Sequence, residues 1–215
     1  MIIIKPSFEI ISTNNYTDML EKVEKAGRVC YKSEDRIAEG SAETFIRNIL
    51  KSGHESVIEH DSITVRVICD RGVTHEIVRH RIASYSQEST RYCNYSKDKF
   101  GSQITCIDIA TGFQYDLENE HDRLKYEVWQ TAMEDAERHY FKMLELGAKP
   151  QEARSILPNS LKTEMVITMN LREWRHFMKL RTSERAHPQI RELAGMLLNE
   201  FIERFPVFFQ DLKEE

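Results

Sequence analysis

The sequence predicts an α+β (mixed α/β) fold, in which a central sheet is flanked by long helices within a single domain spanning residues 1–215. The first observation is the alternation of apolar and polar side chains along Asp61–Asp70, which is typical of a half-buried strand. The second is helical periodicity in long stretches, such as 116–146, that are interspersed with the strands. The third is a hydrophobic content of 40% in 215 residues, which suits one ordinary core.

The first part of the chain is predicted to form a strand and two helices. An opening apolar strand stops at Pro6, because proline cannot donate to a sheet ladder. Residues 16–29 carry apolar side chains at helical spacing and form the first helix. Residues 41–52 form the second helix, with Ser41 as its N-cap and Gly53 as its stop.

The middle of the chain combines a strand, a short helix and a polar segment. The strand over Asp61–Asp70 turns at Arg71-Gly72 into a short helix that runs from about Val73 to Arg81. Residues 84–103 are rich in Ser, Tyr, Asn and Gln and predict a long polar loop. Since long ordered loops tend to be functional, this loop is a candidate binding segment.

Proline, glycine and asparagine mark the element ends in the second half of the chain. Trp174, Phe177 and Met178 are predicted to pack in the core. The predicted elements are a short strand Ile104–Ile109, a helix over 116–146 ending at Gly147, a short helix from Pro150 that closes before Pro158, a strand Leu161–Met169, a helix Leu171–Thr182 capped by Asn170, and a last helix from near Pro188 to before Pro206.

Composition and charge exclude several classes of partner. A formal net charge of -5 does not draw a protein to nucleic acid, so any anion site must be a local cluster. No run approaches the roughly 20 apolar residues of a membrane helix, and the first residues show no signal-peptide pattern. We therefore expect a cytoplasmic protein without a membrane or nucleic-acid partner. Its scattered cysteines are expected to be reduced thiols: Cys30, Cys69, Cys93 and Cys106.

Cationic and hydroxyl-bearing side chains are concentrated in residues 73–92. Arg79, Arg81 and Arg91 stand among serines, threonines, tyrosines and two histidines, and only Glu76 and Glu88 oppose them. Arginine binds phosphate oxygens with two parallel charge-assisted hydrogen bonds. On a helix Arg79 and Arg81 would point about 200° apart, so we expect them to serve two different anionic ligands. The alternative is a solvated, charged helix end followed by a surface loop.

Four motifs in one order resemble those of the flavin-dependent thymidylate synthases. Arg79-His80-Arg81, followed after seven residues by Ser89, resembles the family signature. Val57-Ile58 stands where the family more often has Pro-Phe. The other motifs are His54-Glu55-Ser56-Val57-Ile58-Glu59-His60, Ala153-Arg154-Ser155-Ile156-Leu157-Pro158, and Asn170-Leu171-Arg172 with His176 and Leu180-Arg181.

The resemblance implies an enzyme that methylates deoxyuridylate (dUMP) to thymidylate (dTMP). It implies tightly bound FAD, methylenetetrahydrofolate as the one-carbon donor, and NADPH as the reductant of the flavin. It also implies a homotetramer whose active sites combine residues from several subunits. No enzyme nucleophile is then needed, because the cofactor carries out the difficult step and the protein positions it.

The same resemblance assigns residues to the flavin. A GxGxxG fingerprint is absent from the sequence, so side chains such as Arg79 and Arg81 are expected to meet the flavin diphosphate. His176 stands where some relatives have Asn, and both side chains can hydrogen-bond a flavin edge. The implied flavin contacts are Ser56, Arg79, His80, Arg81, Gln87, Asn170, Arg172 and His176.

A second set of residues is assigned to dUMP. Arg91 and Ser89 suit its phosphate, and Arg154 supplies a second cationic contact. Arg181 is the implied catalytic residue, because a cation near the uracil favours ionisation at N3. Glu76 stands where relatives often carry Gln. The implied substrate contacts are Glu76, Arg79, Gln87, Glu88, Ser89, Thr90, Arg91, Arg154 and Arg181.

Other functions are weighed against this one. His54 and His60 are six residues apart, which does not match the H-E-x-x-H spacing of a zinc helix, so no metal is expected. Cys93 lies just past the signature without an evident activating neighbour, so we do not expect a cysteine nucleophile. Two alternatives stay open: a nucleotide- or RNA-binding module that lacks flavin, and a metal-dependent nucleotide hydrolase.

Overall fold

A four-stranded antiparallel sheet is the centre of the computed structural model, which describes residues 1–12, 15–97 and 101–213. Its strands, in sheet order, are β2 (Ser7–Ile10), β3 (Ser62–Asp70), β6 (Lys162–Asn170) and β4 (Ala83–Gln87). A second sheet pairs β1 (Ile2–Ile4) with β5 (Thr105–Ile107) in parallel. The two sheets meet at an isolated bridge between Cys106 and Leu161. Mixed strands and helices confirm the predicted fold class.

The two edge strands of the central sheet correct the sequence prediction. Strand β2 follows Pro6 and was not predicted. The predicted loop 84–103 is wrong at its start, because Ala83–Gln87 pairs with β6, with Ala83 opposite Met169. Residues 98–100 of that loop lie outside the described residues. Polar residues can form this strand because it lies at the edge of the sheet, where alternate side chains face solvent.

The helices pack around the sheet, largely where periodicity placed them. Among the described residues, no helix combines the length and the apolar character that crossing a membrane requires. The α-helices are α1 (Tyr16–Val29), α2 (Ser41–Lys51), α3 (Arg71–Ile77), α4 (Glu120–Glu145), α5 (Pro150–Ala153), α6 (Leu171–Arg181), α7 (Pro188–Arg204) and α8 (Pro206–Phe209), with 3₁₀ helices at Glu34–Arg36, Glu55–His60, Arg154–Ile156 and Gln210–Lys213.

Helix caps explain where the boundaries differ from prediction. Gly40, with φ of 75°, is the N-cap of α2, whereas Ser41 is its first residue and donates to Glu24. Ser41 is therefore not the cap that we predicted. Helix α4 begins at Glu120 rather than at 116, because the side chain of Asn119 accepts from the amides of His121 and Asp122.

The main core lies between the sheet and helices α1, α2, α6 and α7. Trp174, Phe177 and Met178 are fully buried in it, as predicted. The rings of Trp174 and Phe201 meet edge to face with centroids 5.2 Å apart. A smaller cluster around Tyr140 and Ile104 covers the second sheet under α4. The main core therefore fixes helix α6, which carries several of the candidate site residues.

Asp70 joins the end of β3 to two helices, and its replacement by alanine tests that role. Its carboxylate caps α3 by accepting from the Val73 amide at 2.6 Å, and it accepts from Gln189 of α7 at 2.6 Å. We expect Asp70→Ala to lower the free energy of unfolding by about 2 kcal/mol, since a cap and a buried hydrogen bond are lost. Denaturant unfolding measures this change.

Asp70→Asn is the matched control for this prediction. Burial raises the pKa of the Asp70 carboxyl despite its hydrogen bonds, so the charge itself is not the stabilising feature. Asparagine also caps helices well, and we expect it to retain most of the stability. An alanine variant as stable as the asparagine variant would contradict the capping role.

Candidate active site

The end of helix α3 places the central motif outside the helix. The predicted helix from Val73 to Arg81 is wrong at both ends, because α3 runs from Arg71 to Ile77. Arg79, His80 and Arg81 therefore lie in the turn between α3 and β4. Arg79 and Arg81 are exposed, whereas His80 between them is 3% exposed. The 200° separation expected on a helix does not apply, but the two arginines still present exposed cations beside a buried histidine.

Three side chains bind the last carbonyl groups of α3 and so end the helix. Arg79 Nε donates to the His75 carbonyl at 3.2 Å, and Arg181 Nη2 donates to the Glu76 carbonyl at 2.9 Å. The Tyr85 hydroxyl lies 2.9 Å from the Ile77 carbonyl. These partners satisfy carbonyls that an ending helix leaves open. Because two of them come from β4 and α6, tertiary structure rather than local sequence sets the end of the helix.

Arg181 is held at all of its guanidinium nitrogens. Nη1 donates to the Glu76 carboxylate at 2.6 Å, Nη2 to the Glu76 carbonyl, and Nε to His80 Nε2 at 3.1 Å. Its side chain is 14% exposed, whereas that of Glu76 is 43% exposed. The guanidinium is thus fixed at the edge of the protein surface, within reach of a ligand.

His80 connects Arg181 to Glu173. Its Nδ1 lies 3.0 Å from Glu173 Oε1, and both side chains are buried. Burial lowers the pKa of His80, the Glu173 hydrogen bond raises it, and the charge of Arg181 lowers it; the net shift is downward. His80 is therefore neutral at neutral pH. Since Arg181 Nε can only donate, His80 Nε2 accepts and Nδ1 carries the proton that Glu173 binds.

The side chains around His80 are spaced closely enough to hold a metal ion, but their hydrogen bonds do not suit one. His80, Glu173 and His176 each present a ligand atom within 4.8 Å of the others. A metal would need the Nε2 or Nδ1 lone pair of His80, yet one nitrogen faces Arg181 and the other faces Glu173. A guanidinium at 3.1 Å also repels a cation. The geometry favours a hydrogen-bond network here.

Residues 87–91 form the other part of the predicted site. Gln87 Nε2 lies 3.3 Å from the hydroxyls of Thr74 and Thr163, which hold its amide in place. Glu88 accepts from Lys162 at 3.0 Å and from Tyr95 at 2.9 Å. The carboxylate of Glu88 is therefore held by a cation, which it shares with Glu164.

The turn after Glu88 presents a serine and an arginine. The Ser89 hydroxyl accepts from the Arg91 amide at 3.3 Å, and the Ser89 carbonyl accepts from the Cys93 amide at 2.9 Å. Arg91 is exposed, with its guanidinium carbon 5.4 Å from the Tyr92 ring centroid. An exposed cation beside a hydroxyl and a turn is an arrangement that can bind phosphate.

The residues assigned to flavin are divided between two places. Ser56 and Arg172 line an open cavity of about 400 Å³ near His54, and Arg172 pairs with Glu59. Arg172 and Arg181 are nine residues apart on α6, which is roughly 14 Å along the helix. Asn170 uses its side-chain oxygen to cap α6, accepting from the Glu173 amide at 2.8 Å. One chain therefore presents two separated groups of candidate residues.

The predicted site residues differ in how they are exposed. Arg154 is separate from the others, in a 3₁₀ helix that packs on α4. The exposed ones are Ser56, Arg79, Arg81, Arg91, Arg154, Arg172 and His176, the half-buried ones are Glu76, Gln87, Glu88, Ser89, Asn170 and Arg181, and the buried ones are His80 and Thr90.

Sequence reasoning missed the residues that hold this site in place: Glu173, Tyr85 and Lys162. Asn170-x-x-Glu173 has the spacing of a helix capping box, which could have drawn attention to Glu173. The capping-box pattern would have predicted a bond from the Asn170 amide to the Glu173 carboxylate, but this carboxylate contacts His80 instead. Burial lowers the pKa of Lys162, but its bonds to Glu164 and Glu88 outweigh burial and raise it. No local pattern marks a lysine on a strand as the partner of a distant glutamate.

Comparisons with known proteins agree with the motifs. The family model of the thymidylate synthase complementing protein matches residues 12–207. A flavin-dependent thymidylate synthase of Pyrococcus furiosus is 37% identical over 198 residues, covering 88% of this chain and 78% of the relative. The protein of the same name from Geobacter sulfurreducens is 34% identical over 193 residues, covering 86% and 78%. Since both kinds of match span most of the chain, the chain belongs to the flavin-dependent thymidylate synthase family.

Proposed function

We propose that the protein converts dUMP to dTMP by reductive methylation, with methylenetetrahydrofolate as the one-carbon donor and NADPH-reduced FAD as the hydride source. The observation that carries this proposal is the fixed guanidinium of Arg181, which is anchored by Glu76 and His80 beside the exposed Arg79 and Arg81. Family membership supports the reaction class. The single domain is proposed to span residues 1–215.

The residues present fit a flavin dinucleotide. Arg79, Arg81 and Arg172 offer exposed guanidinium groups to the diphosphate and adenosine parts, and Ser56 and His176 offer exposed polar groups. A dinucleotide is long enough to reach both ends of α6, which the separated groups require. FAD bound there and reduced by NADPH would supply the hydride that reduces the one-carbon unit to a methyl group.

The chain's own residues bind and polarise the substrate. Arg91 and Ser89 hold the phosphate of dUMP, with Arg154 as a further cation, and Gln87, Glu88 and Thr90 shape the cradle. Arg181 faces the uracil, where its charge favours the anionic form at N3. Glu76 holds Arg181 in the free enzyme and contacts the substrate edge. Because His80 and Glu76 fix the guanidinium, its orientation requires no reorganisation during the reaction.

An enzyme thiol is not part of the proposed mechanism. Cys69 and Cys106 are buried, and burial raises the pKa of both thiols, that of Cys106 to about 12. Such thiols do not form nucleophilic thiolates at neutral pH. Cys93 packs against the cluster around Tyr140 rather than beside a base.

We also infer that the active enzyme is a homotetramer with active sites shared between subunits. Large apolar side chains next to the candidate site are exposed in the single chain, with Ile82 at 68% and Tyr92 at 79%. A partner subunit that packed beside the site would remove these side chains from water. A partner subunit could bring the Arg172 end of one helix to the Arg181 end of another. A cytoplasmic location stays a prediction.

Product analysis tests the proposed reaction. The purified protein is incubated with dUMP, methylenetetrahydrofolate, FAD and NADPH, and nucleotides are separated by chromatography. We expect dTMP only when dUMP, methylenetetrahydrofolate and NADPH are all present and the protein holds FAD, with NADPH consumed in step. If dTMP fails to form while FAD is bound and reduced, the proposed methylation is wrong.

Two arginine variants separate the flavin site from the substrate site. Arg81→Ala is expected to weaken FAD retention, and Arg91→Ala is expected to weaken dUMP binding while FAD stays bound. Each change removes a charge-assisted hydrogen bond to an anion, so we expect about a tenfold loss of affinity or more. Calorimetry with FAD and with dUMP measures both affinities.

Arg123→Ala is the matched control, because Arg123 is an exposed arginine of α4 that pairs with Glu127 outside the candidate site. We expect it to leave both affinities unchanged. Wild-type affinity of both site variants for both ligands would show that these arginines do not hold two anions.

A further inference from the structure

Glu173 is a buried carboxylate to which neither the motifs nor the family name assigns a role. It is the third residue of α6 and lies in the interior, 8% exposed, rather than facing solvent like its neighbour Arg172. Its backbone amide already completes the Asn170 cap, so its side chain is not needed to start the helix. Burying a carboxylate is costly unless it is paired, and its partner here is His80 Nδ1.

The two ring nitrogens of His80 face groups with opposite hydrogen-bonding roles. On the Nδ1 side the Glu173 carboxylate can only accept, and on the Nε2 side the Arg181 Nε–H can only donate. A single tautomer, neutral with the proton on Nδ1, satisfies both. The ring is also fixed by packing, since its centroid lies 4.9 Å from that of Phe177.

We propose that Glu173 and His80 are positioning residues for Arg181: the Glu173 carboxylate holds His80 in the Nδ1–H tautomer, and the Nε2 lone pair then orients the guanidinium toward the uracil site. With the two bonds to Glu76, this contact fixes three of the guanidinium donors in one plane. The inference rests on the proposed function of Arg181. The proposed site then includes the buried carboxylate of Glu173 as well as the guanidinium of Arg181 at the surface, both on α6.

Protonation of His80 would break this arrangement. A protonated ring donates from both nitrogens, so Nε2 would present a hydrogen and a positive charge to Arg181. The charged and titratable groups that face the ring are Glu173, His176 and Arg181, all from α6. Tyr85 of β4 donates to the His80 backbone carbonyl rather than to the ring. Since only Glu173 favours the charged ring, the neutral form persists at neutral pH, and activity falls as pH drops through the pKa of His80.

Two substitutions of Glu173 distinguish positioning from packing. Glu173→Gln keeps an oxygen that accepts from Nδ1 but removes the charge, so we expect kcat/KM for dUMP to stay within about threefold and the pKa of His80 to fall. Glu173→Leu keeps the bulk but offers no acceptor. We expect kcat/KM to fall about tenfold or more while FAD retention is unchanged, because a misplaced catalytic group costs rate rather than cofactor binding.

The tautomer is read directly by NMR on protein with ¹⁵N-labelled histidine. The sequence has eight histidines, and the His80 signals are assigned by their loss in a His80→Gln variant. We expect the wild-type ring to be the Nδ1–H tautomer and Glu173→Leu to lose that single state. Glu24→Leu is the matched control, because Glu24 is also a buried carboxylate of a helix, paired with Arg28 on α1. It should lower stability without changing the His80 signals or kcat/KM.

The outcomes separate this inference from the proposed function. An Nε2–H tautomer in the wild type, or full kcat/KM in Glu173→Leu, would overturn the positioning role. If Glu173→Leu fails to fold, an unchanged His80 pKa in Glu173→Gln would overturn it instead. Absence of dTMP formation by the wild type concerns the proposed reaction, because the NMR measurement needs neither substrate nor turnover.

Discussion

Replacing Arg181 by alanine is expected to lower the rate of dTMP formation about 100-fold or more, the largest effect on activity that the structure predicts. The reason is that the guanidinium is a preorganised cation, bound at Nη1, Nη2 and Nε before substrate arrives. Removing one such electrostatic contact at a developing charge typically costs 10²–10³ in kcat. Initial rates at saturating dUMP and FAD measure the change.

Arg181→Lys and Arg185→Ala are the controls for this prediction. Lysine keeps the positive charge but cannot reach His80 and Glu76 with one planar group, so we expect it to recover a small part of the rate. Arg185 is an exposed arginine just beyond α6, and its loss should have no effect. A rate within about threefold of wild type in Arg181→Ala would show that this guanidinium does not act on the substrate.

Replacing Trp174 by alanine is expected to lower the free energy of unfolding by about 4 kcal/mol, the largest effect on stability. Trp174 is fully buried, its ring meets Phe177 and Phe201, and its Nε1 donates to the Ile63 carbonyl at 2.9 Å. The substitution leaves a cavity and removes the hydrogen bond to the Ile63 carbonyl of the central strand β3. Denaturant unfolding measures the loss.

Trp174→Phe separates the two contributions. Phenylalanine keeps most of the apolar volume and loses the N–H donor, so we expect a cost of about 1–2 kcal/mol. Because Trp174 anchors the helix that carries Arg172 and Arg181, the alanine variant should also lose activity at temperatures where it is still folded. A loss of under about 1 kcal/mol in the alanine variant would contradict the role of this residue in the core.

Much of the fold could be predicted because local patterns were strong. The alternation along Asp61–Asp70 identified β3, and Asn170, Pro188 and Pro206 marked the ends of α6 and α7 correctly. Strand β4 could not be recognised from its serines and glutamine, because its strand geometry comes from pairing with β6. Edge strands are defined by their neighbour, which lies far away in the sequence.

The candidate site, too, could be predicted only in part, because distant residues define its arrangement. Arginines in the Arg79-His80-Arg81 motif predict an anion site, since the chemistry of a side chain is readable from residue type. The end of α3 was not readable, because Tyr85 and Arg181 bind its last carbonyls from other elements. Nor could sequence reveal that Glu173 and His80 are paired, as they are 93 positions apart. The residue types predict which chemistry the site can perform, whereas contacts between distant residues determine how its side chains are arranged.

If flavin and dUMP bind in one active site, the visible absorption spectrum of the flavin responds to dUMP. The spectrum is recorded with FAD, before and after anaerobic NADPH, with and without dUMP. We expect an oxidised-flavin band that NADPH bleaches and a rate of bleaching or reoxidation that changes when dUMP is added. A colourless protein that takes up no added FAD would contradict the account, and the arginine-rich segment would then be a nucleotide-binding surface without flavin chemistry.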